Sequence, residues 1–425
     1  MDEKIYAMWL SDAIGPGSIY GKALIEKYKS FYEIYKLSED GYAEVGVKRG
    51  SRIMERLLDK NTAKSEKNYG FCNYNYFGII EYTADLYPRR LKNIADPPPV
   101  LYTRGRMIDI DDNVCIGVVG TRSYTDAGWN SVYRISGGIA RGGAVVVTGL
   151  ASGIDTAATR AALSASGYAI GIIGGGIERI YPSENTELFE TMYKCGLVIS
   201  ELAPFSNITG SYFPVRNRII SGLCQGVLVG EGNVRSGAMI TAKHAGEQGR
   251  HVFAIPGDIN SQESSGVNKL VKEGATPVFE SWDILEKYAY LYPHRIKSVP
   301  GADSVNIPEK RSSKRVRFLG NIGKFRENGN KSSAVQTEKA KKTEIFTAPK
   351  NASITRDPDE RQKSAILSLG ENERRVYEVL SYETEKNSDT IAAEASLSCD
   401  TVLAAFTTLE IEGLIKKTGT GVLKI

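Results

Sequence analysis

Residues 115–149 read CIGVVGTRSYTDAGWNSVYRISGGIARGGAVVVTG, and this stretch decides the fold class of the chain. Two short apolar runs, 115–120 and 144–149, each close on a glycine and frame a segment of helical character. Short continuous apolar strands that alternate with helices are typical of parallel sheets buried on both faces. The stretch therefore predicts a strand, a helix and a second, parallel strand.

The same alternation continues to residue 257. The later apolar runs are YAIGIIG (168–174), GLVISE (196–201), GVLVGE (226–231) and HVFAIPG (251–257), and helices are expected to begin near Ala127, Asp155, Glu184, Pro214, Ser236 and Ser264. Over residues 111–290 the pattern predicts an α/β fold built on a Rossmann-like, doubly wound parallel sheet. The carboxyl ends of the strands in such a sheet line a ligand crevice.

The residues before this domain divide into two segments. Residues 1–65 are predicted to form short helices separated by Gly-containing breaks at 14–17 and 45–50, a layout that resembles a helix-hairpin-helix or SAM-like module. Such turns contact DNA phosphates through backbone amides, but a small helical packing module is an equally good interpretation. Residues 66–110 contain three consecutive prolines, which favour an extended lead-in packed on the core.

Two further segments follow the domain. Residues 293–362 hold 16 Lys and Arg against 8 Asp and Glu and show no periodicity, so 291–362 is predicted to be a flexible basic linker. Residues 363–425 again show helical pattern and end in IKKTGTGVLKI, which predicts a winged-helix domain. Its third helix carries Asp400, Glu410 and Glu412 and no Lys or Arg, which favours protein contact or packing over base readout.

Composition points to a reducing, aqueous compartment. No apolar run approaches the roughly 20 residues that a membrane helix needs, and the start MDEKIYAMWL lacks the layout of a signal peptide. Five cysteines form no CxxC pair, and the chain has three histidines. The expectation is a cytoplasmic protein without a membrane contact, a disulfide framework or a metal site.

One stretch near the middle of the domain has the character of a phosphate site. Residues 212–222 read YFPVRNRIISG, in which Pro214 suits the first turn of a helix. Free amides at a helix start favour anions. Arg216 and Arg218 are expected to add two guanidiniums to this phosphate site, beside Phe213. The alternative is a surface helix with solvated arginines.

Glycine-lined turns follow several of the predicted strands. Gly117 to Arg122 closes the first, Thr148 to Asp155 closes the second and includes Ser152 and Gly153, and the turn at 235–243 ends in Lys243. None of these turns matches GxGxxG or GxxxxGK[ST], so a nucleotide cofactor is not expected.

Read together, the runs GTR, TGLASGIDTAA, FPVRNRIISGL and RSGAMITAKHAGEQGRHVFAIPGDI resemble the DNA-processing protein A (DprA/Smf) family, in order between Gly117 and Ala275. The resemblance implies a homodimer that binds single-stranded DNA, loads the RecA recombinase onto incoming DNA in natural transformation, and has no catalytic residue or cofactor. Carried over by motif, the DNA-binding residues are Arg122, Ser152, Gly153, Phe213, Arg216, Asn217, Arg218 and Lys243. The family usually has His where this chain has Thr159.

An enzyme is the alternative from a different class. Nucleoside-monophosphate phosphoribohydrolases share a Rossmann-like fold and hold their nucleotide with a Pro-Gly-Gly-x-Gly-Thr-x-x-Glu run. That run is absent, since residues 230–237 read GEGNVRSG. A pure interaction protein with a vestigial crevice is the third interpretation.

Overall fold

The computed structural model describes residues 2–304 and, near the C-terminus, residues 371–380, 388–397, 401–402, 405–406, 409, 414–417 and 422–424. The chain divides into two compact units, Met1–Val316 and Arg317–Ile425. Among the described residues, no helix is both long enough and apolar enough to cross a membrane.

A single large sheet forms the centre of the first unit. In the described part of the chain it has nine strands in the order β1-β2-β6-β5-β4-β3-β7-β8-β9. The strands are β1 (Gly78–Glu81), β2 (Val100–Gly105), β3 (Cys115–Val119), β4 (Val145–Thr148), β5 (Ala169–Ile173), β6 (Leu197–Ser200), β7 (Gly226–Val229), β8 (His251–Ala254) and β9 (Thr276–Pro277). All six predicted strands are present and mutually parallel, which confirms the α/β, Rossmann-like fold.

The sheet is mixed, whereas the sequence predicted a wholly parallel one. Strand β2 pairs antiparallel with β6, and β1 pairs antiparallel with β2. Both lie in the segment 66–110, which was predicted only as an extended lead-in. The run of prolines at 97–99 ends just where β2 begins, so the strand starts at the first residue that has a backbone N–H to donate. Tyr87 and, within β2, Tyr102 are fully buried, as their size requires.

Helices cover both faces of the sheet. They are α7 (Arg89–Lys92), α8 (Asp126–Arg141), α9 (Ile154–Ser164), α10 (Thr186–Cys195), α11 (Tyr212–Leu223), α12 (Gly237–Glu247), α13 (Ser265–Lys272) and α14 (Trp282–Ala289). Six of these begin within two residues of their predicted starts. Because crossovers between parallel strands are right-handed, α8 to α10 pack on one face and α11 and α12 on the other. The change of face occurs between β3 and β7, and a crevice opens there.

The N-terminal module consists of six helices. They are α1 (Glu3–Ile14), α2 (Tyr20–Tyr28), α3 (Phe31–Lys36), α4 (Glu39–Ala43), α5 (Arg52–Asp59) and α6 (Ala63–Tyr74). The predicted breaks contain Gly15, Gly17, Gly46 and Gly50, all at positive φ. The amide of Gly17 donates to the Glu201 carboxylate over 3.3 Å, so this turn contacts the sheet domain. A DNA contact by the module stays a prediction.

Ordered packing extends past the predicted end of the sheet domain at residue 290. Ile296 is buried, the Lys297 amide donates to the Gly142 carbonyl over 3.0 Å, and Arg141 Nε donates to the Ala302 carbonyl over 2.7 Å. Residues 291–304 therefore belong to the domain rather than to a linker. The remainder of the predicted linker, 305–362, lies outside the described residues.

The second unit contains helices Glu371–Val379 and Ser388–Ala395 and an antiparallel pair, β10 (Ile415–Lys417) and β11 (Val422–Lys424). Val376, Ile391, Phe406, Leu409 and Ile415 are buried in its core. The winged helix stays a prediction.

Candidate nucleic-acid interface

A crevice of about 420 Å³ lies at the carboxyl ends of β3, β4 and β7. Its walls come from the loop after β3, the start of α9, the exposed side of α11 and the start of α12. The charged, amide and aromatic side chains that line it are Arg122, Asp155, Phe213, Arg216, Asn217, Asn233 and Arg235. Four of the eight predicted site residues line the crevice, namely Arg122, Phe213, Arg216 and Asn217. A fifth, Gly153, shapes one wall without lining it.

Gly153 brings two loops into contact. Its φ is +91°, and a Cβ built there would lie 2.4 Å from the Thr121 carbonyl oxygen. The next amide, that of Ile154, donates to the same oxygen over 3.2 Å. Any other residue would be strained and would push the loop after β3 away. Ser152, next to Gly153, is half-buried and is not among the described residues that line the crevice.

Arg216 forms the floor of the crevice instead of projecting into solvent. Its side chain is buried, and Nη1 donates to the carbonyls of Gly149, over 2.8 Å, and of Ile172. The guanidinium thus joins the ends of β4 and β5 to α11. Burial lowers its pKa to about 10, an effect that Asp155 opposes.

Asp155 is the acidic group of the floor. Its carboxylate accepts from the Gly149 amide over 2.9 Å. Burial raises the pKa of this carboxyl to about 6, while the nearby Arg216 guanidinium acts in the opposite direction. The floor therefore carries a cation and an anion that largely compensate each other near neutral pH.

Arg218 lies outside the crevice, contrary to the prediction. Residues two apart on a helix point about 200° from each other, so Arg216 and Arg218 occupy opposite sides of α11. Arg218 is 3% exposed and donates from Nε to Asp96 over 2.8 Å and from Nη2 to Glu201 over 2.6 Å. It holds α11 to the lead-in segment and to the end of β6.

One exposed cation of the crevice is Arg122. Its guanidinium carbon lies 5.3 Å from the centre of the Phe213 ring, and that ring lies 5.5 Å from Tyr181 at an interplanar angle of 30°. Among the described residues, no carboxylate is within ion-pair distance of Arg122. A cation beside a pair of aromatic rings offers both a phosphate contact and stacking surface.

Arg235 lines the crevice but is not among the DNA-binding residues predicted from the family motifs. It is exposed at the turn before α12, where its amide donates to Asn233 Oδ1 over 2.9 Å. The signal was present in the sequence, since Arg235 precedes a Ser-Gly helix start just as Arg122 follows the Gly-Thr turn. Across the crevice, Asn217 Nδ2 donates to the Gly237 carbonyl over 3.4 Å.

Lys243 lies one helical turn beyond the crevice residue Ile240 on α12. Its side chain is 75% exposed, and its ion pair with Glu247, at 3.6 Å, is exposed on both sides. Such pairs contribute little, so the ammonium is free to meet a strand that leaves the crevice over α12.

Two further residues are bound within the protein. Thr159 is buried, with its hydroxyl 2.9 Å from that of Thr148 and donating to the Asp155 carbonyl over 2.8 Å. Glu231 accepts from the amide and hydroxyl of Thr125, over 2.9 and 2.7 Å, at the start of α8. Glu231 thus caps a helix and does not face the crevice as a catalytic acid would.

We expect Arg218→Ala to lower the free energy of unfolding by about 3–5 kcal/mol, because the Glu201 carboxylate would stay buried without its counter-ion. Urea denaturation measures this. Arg122→Ala is the control and should change stability by no more than about 0.5 kcal/mol. Replacing both partners, as Arg218→Met with Glu201→Gln, should recover part of the loss. An Arg218→Ala protein as stable as the wild type would contradict the stabilising role of the Arg218 contacts with Asp96 and Glu201.

Comparison with known proteins gives the family of the chain. Residues 78–289 match the family model described as DNA recombination-mediator protein A. The DNA processing protein DprA of Bacillus subtilis is 43% identical over 208 residues, 49% of this chain and 70% of the relative. DNA processing protein DprA of Streptococcus pneumoniae is 36% identical over 284 residues, 61% of this chain and 98% of the relative.

A solved structure of the Streptococcus pneumoniae protein, DNA processing protein A, covers 67% of this chain and 97% of its own, with a TM-score of 0.59 at 34% identity. The Streptococcus pneumoniae structure shares the fold described above. The chain belongs to the DNA-processing protein A (DprA/Smf) family of DNA recombination mediators.

Proposed function

We propose that the chain binds single-stranded DNA along the crevice and acts there as a recombination mediator. The observation that carries this proposal is Arg122, an exposed guanidinium that has no carboxylate within ion-pair distance among the described residues. It lies over the Phe213 ring, against which Tyr181 packs. Cations beside stacking rings, above a floor of backbone groups, are the parts of a sequence-tolerant single-strand site.

Charge balance supports a focused site. Residues 111–290 hold 14 Lys and Arg against 17 Asp and Glu, so the domain as a whole repels a polyanion. Attraction must come from a few cations in one place, and Arg122 and Arg235 both line the crevice, from the loop after β3 and from the turn before α12. Asn217 lines the crevice as well and can meet a sugar or a base edge.

The shape of the site favours a single strand over a duplex. The crevice has a volume of about 420 Å³ and is lined by loops and helix starts, so it is a concave site too small for a DNA duplex. A flexible strand can follow the carboxyl ends of β3, β4 and β7 and lay a base on Phe213.

The partners follow from the family. Recombination mediators of this family are expected to deliver single strands to the RecA recombinase, to act as homodimers and to work in the cytoplasm during natural transformation. No catalytic step is proposed, because the crevice residues are accounted for by strand binding and because Glu231 caps α8.

Replacing Arg122 or Arg235 by Ala should flatten the salt dependence of single-strand binding. Each lost phosphate contact removes about 0.7 from the slope of log affinity against log salt. Fluorescence anisotropy of a labelled oligonucleotide at several salt concentrations gives the slope. Lys287→Ala is the matched control, since Lys287 is exposed on α14 and does not line the crevice as described. Slopes that are the same in all four proteins would refute the crevice as the phosphate site.

Single-strand affinity should rise as the pH falls from about 7.5 to about 5.5. The carboxyl of Asp155 has its pKa raised to about 6 by burial, so it becomes neutral over this range and leaves the Arg216 charge uncompensated beneath the strand. Asp155→Asn keeps the acceptor for the Gly149 amide but cannot titrate. It should bind at pH 7.5 as the wild type does at pH 5.5, with a flat pH profile. A wild-type profile retained by Asp155→Asn would exclude this carboxyl as the cause.

A further inference from the structure

Four aromatic residues crowd the end of α6 and the turn that follows it. Residues 71–77 read FCNYNYF. Tyr74 is 84% exposed and Tyr76 is 96% exposed, whereas rings of this size are normally at least half-buried. Exposed aromatic rings interleaved with asparagines are typical of a surface on which planar groups such as nucleic-acid bases stack.

Phe205 connects this segment to the loop above β6. The Phe71 ring lies 4.5 Å from that of Phe205 and 5.8 Å from that of Phe77. Phe205 is 47% exposed and has a positive φ of 66°. Its amide donates to the Glu178 carboxylate over 3.0 Å, which fixes the loop in this conformation.

Arg179 joins Phe205 to the crevice. Its Nη2 donates to the Phe205 carbonyl over 3.4 Å, and its Nε lies 3.3 Å from Glu178. Arg179 also lines a small hollow together with Tyr181 and Phe213, and Arg122 lies against the Phe213 ring. Aromatic rings and guanidiniums therefore form a series that runs from the crevice towards Phe205 and Phe71.

A second cation stands at the far end. The guanidinium carbon of Arg104 lies 5.2 Å from the Phe77 ring and 3.5 Å from the Tyr193 ring. In the described part of the chain Arg104 has no carboxylate within ion-pair distance. The stacked contact with Tyr193 holds it flat beside Phe77, where a phosphate would meet it.

We propose that the strand bound in the crevice leaves it past Tyr181 and Arg179 and continues over Phe205 onto residues 71–77, a surface called here the exit track. The proposal rests on the proposed single-strand binding and extends it to a second stretch of nucleotides. Bases stack on Phe205, Tyr74 and Tyr76, and Arg104 receives a phosphate. Because every base has a π-face, the exit track is tolerant of sequence and adds affinity only to strands that outrun the crevice.

Oligonucleotides of about 5 and about 16 nucleotides, which bracket the usual range of single-strand sites, separate the two surfaces. Fluorescence anisotropy is measured with the full chain and with Tyr74→Ala/Tyr76→Ala. We expect the variant to bind the long strand about fivefold or more weakly, from a stacking contribution of about 1 kcal/mol per base at the low end, and the short strand as the wild type does. Phe279→Ala/Tyr290→Ala is the matched control, since these rings are 66% and 93% exposed outside the exit track.

Each outcome decides one of the two proposals. Unchanged long-strand affinity in Tyr74→Ala/Tyr76→Ala overturns the exit track and leaves the crevice standing. Equal losses on both lengths also overturn it, because the rings would then act through the crevice. A wild type that binds neither strand overturns the proposed function itself. In a dimer, two joined crevices would favour long strands equally in the wild type and in the variants. Each variant is therefore compared with the wild type at the same oligonucleotide length.

Discussion

Two guanidinium groups removed from water fix α11, and the crevice depends on that helix. Arg216 donates to the carbonyls at the ends of β4 and β5, and on the opposite side Arg218 is enclosed by Asp96 and Glu201. Buried charges persist only while their partners stay in place. Helix α11 therefore cannot slide without breaking contacts on both sides, and Phe213 and Asn217 are presented from a rigid wall.

This rigidity explains how a slightly acidic domain can handle a polyanion. The buried arginines carry charge that is already engaged, whereas Arg122 and Arg235 are exposed in the loops that line the crevice beside α11. Preorganised cations lose little conformational entropy when a phosphate arrives. Affinity then comes from placement rather than from total charge, which also limits attraction of the remaining surface to duplex DNA.

The sequence predicted the sheet better than the site. Six strands and their helices follow from apolar runs and glycine turns, which are local signals. The antiparallel strands β1 and β2 were missed because β2 pairs with β6, about a hundred residues away, and β1 in turn pairs with β2. Arg216 and Arg218 look equivalent in FPVRNRII, yet Arg216 forms the floor of the crevice and Arg218 is buried in ion pairs outside it. The sequence does not show this difference, because the Arg218 partners Asp96 and Glu201 come from other segments of the chain. Arg122, Phe213 and Asn217 line the crevice, and each sits at a turn or helix start that the sequence marks.

The pairing of β2 with β6 also has a consequence for synthesis. Residues 100–105 leave the ribosome well before residues 197–200, and at about 5–20 residues per second the interval is roughly 5–20 s. During that time one edge of β2 has no ladder partner, and the buried face of the N-terminal helices has no finished sheet to meet. Open strand edges invite pairing with other chains. The nascent chain is thus most exposed to misassembly before β6 emerges, and binding by a chaperone in this window would protect it.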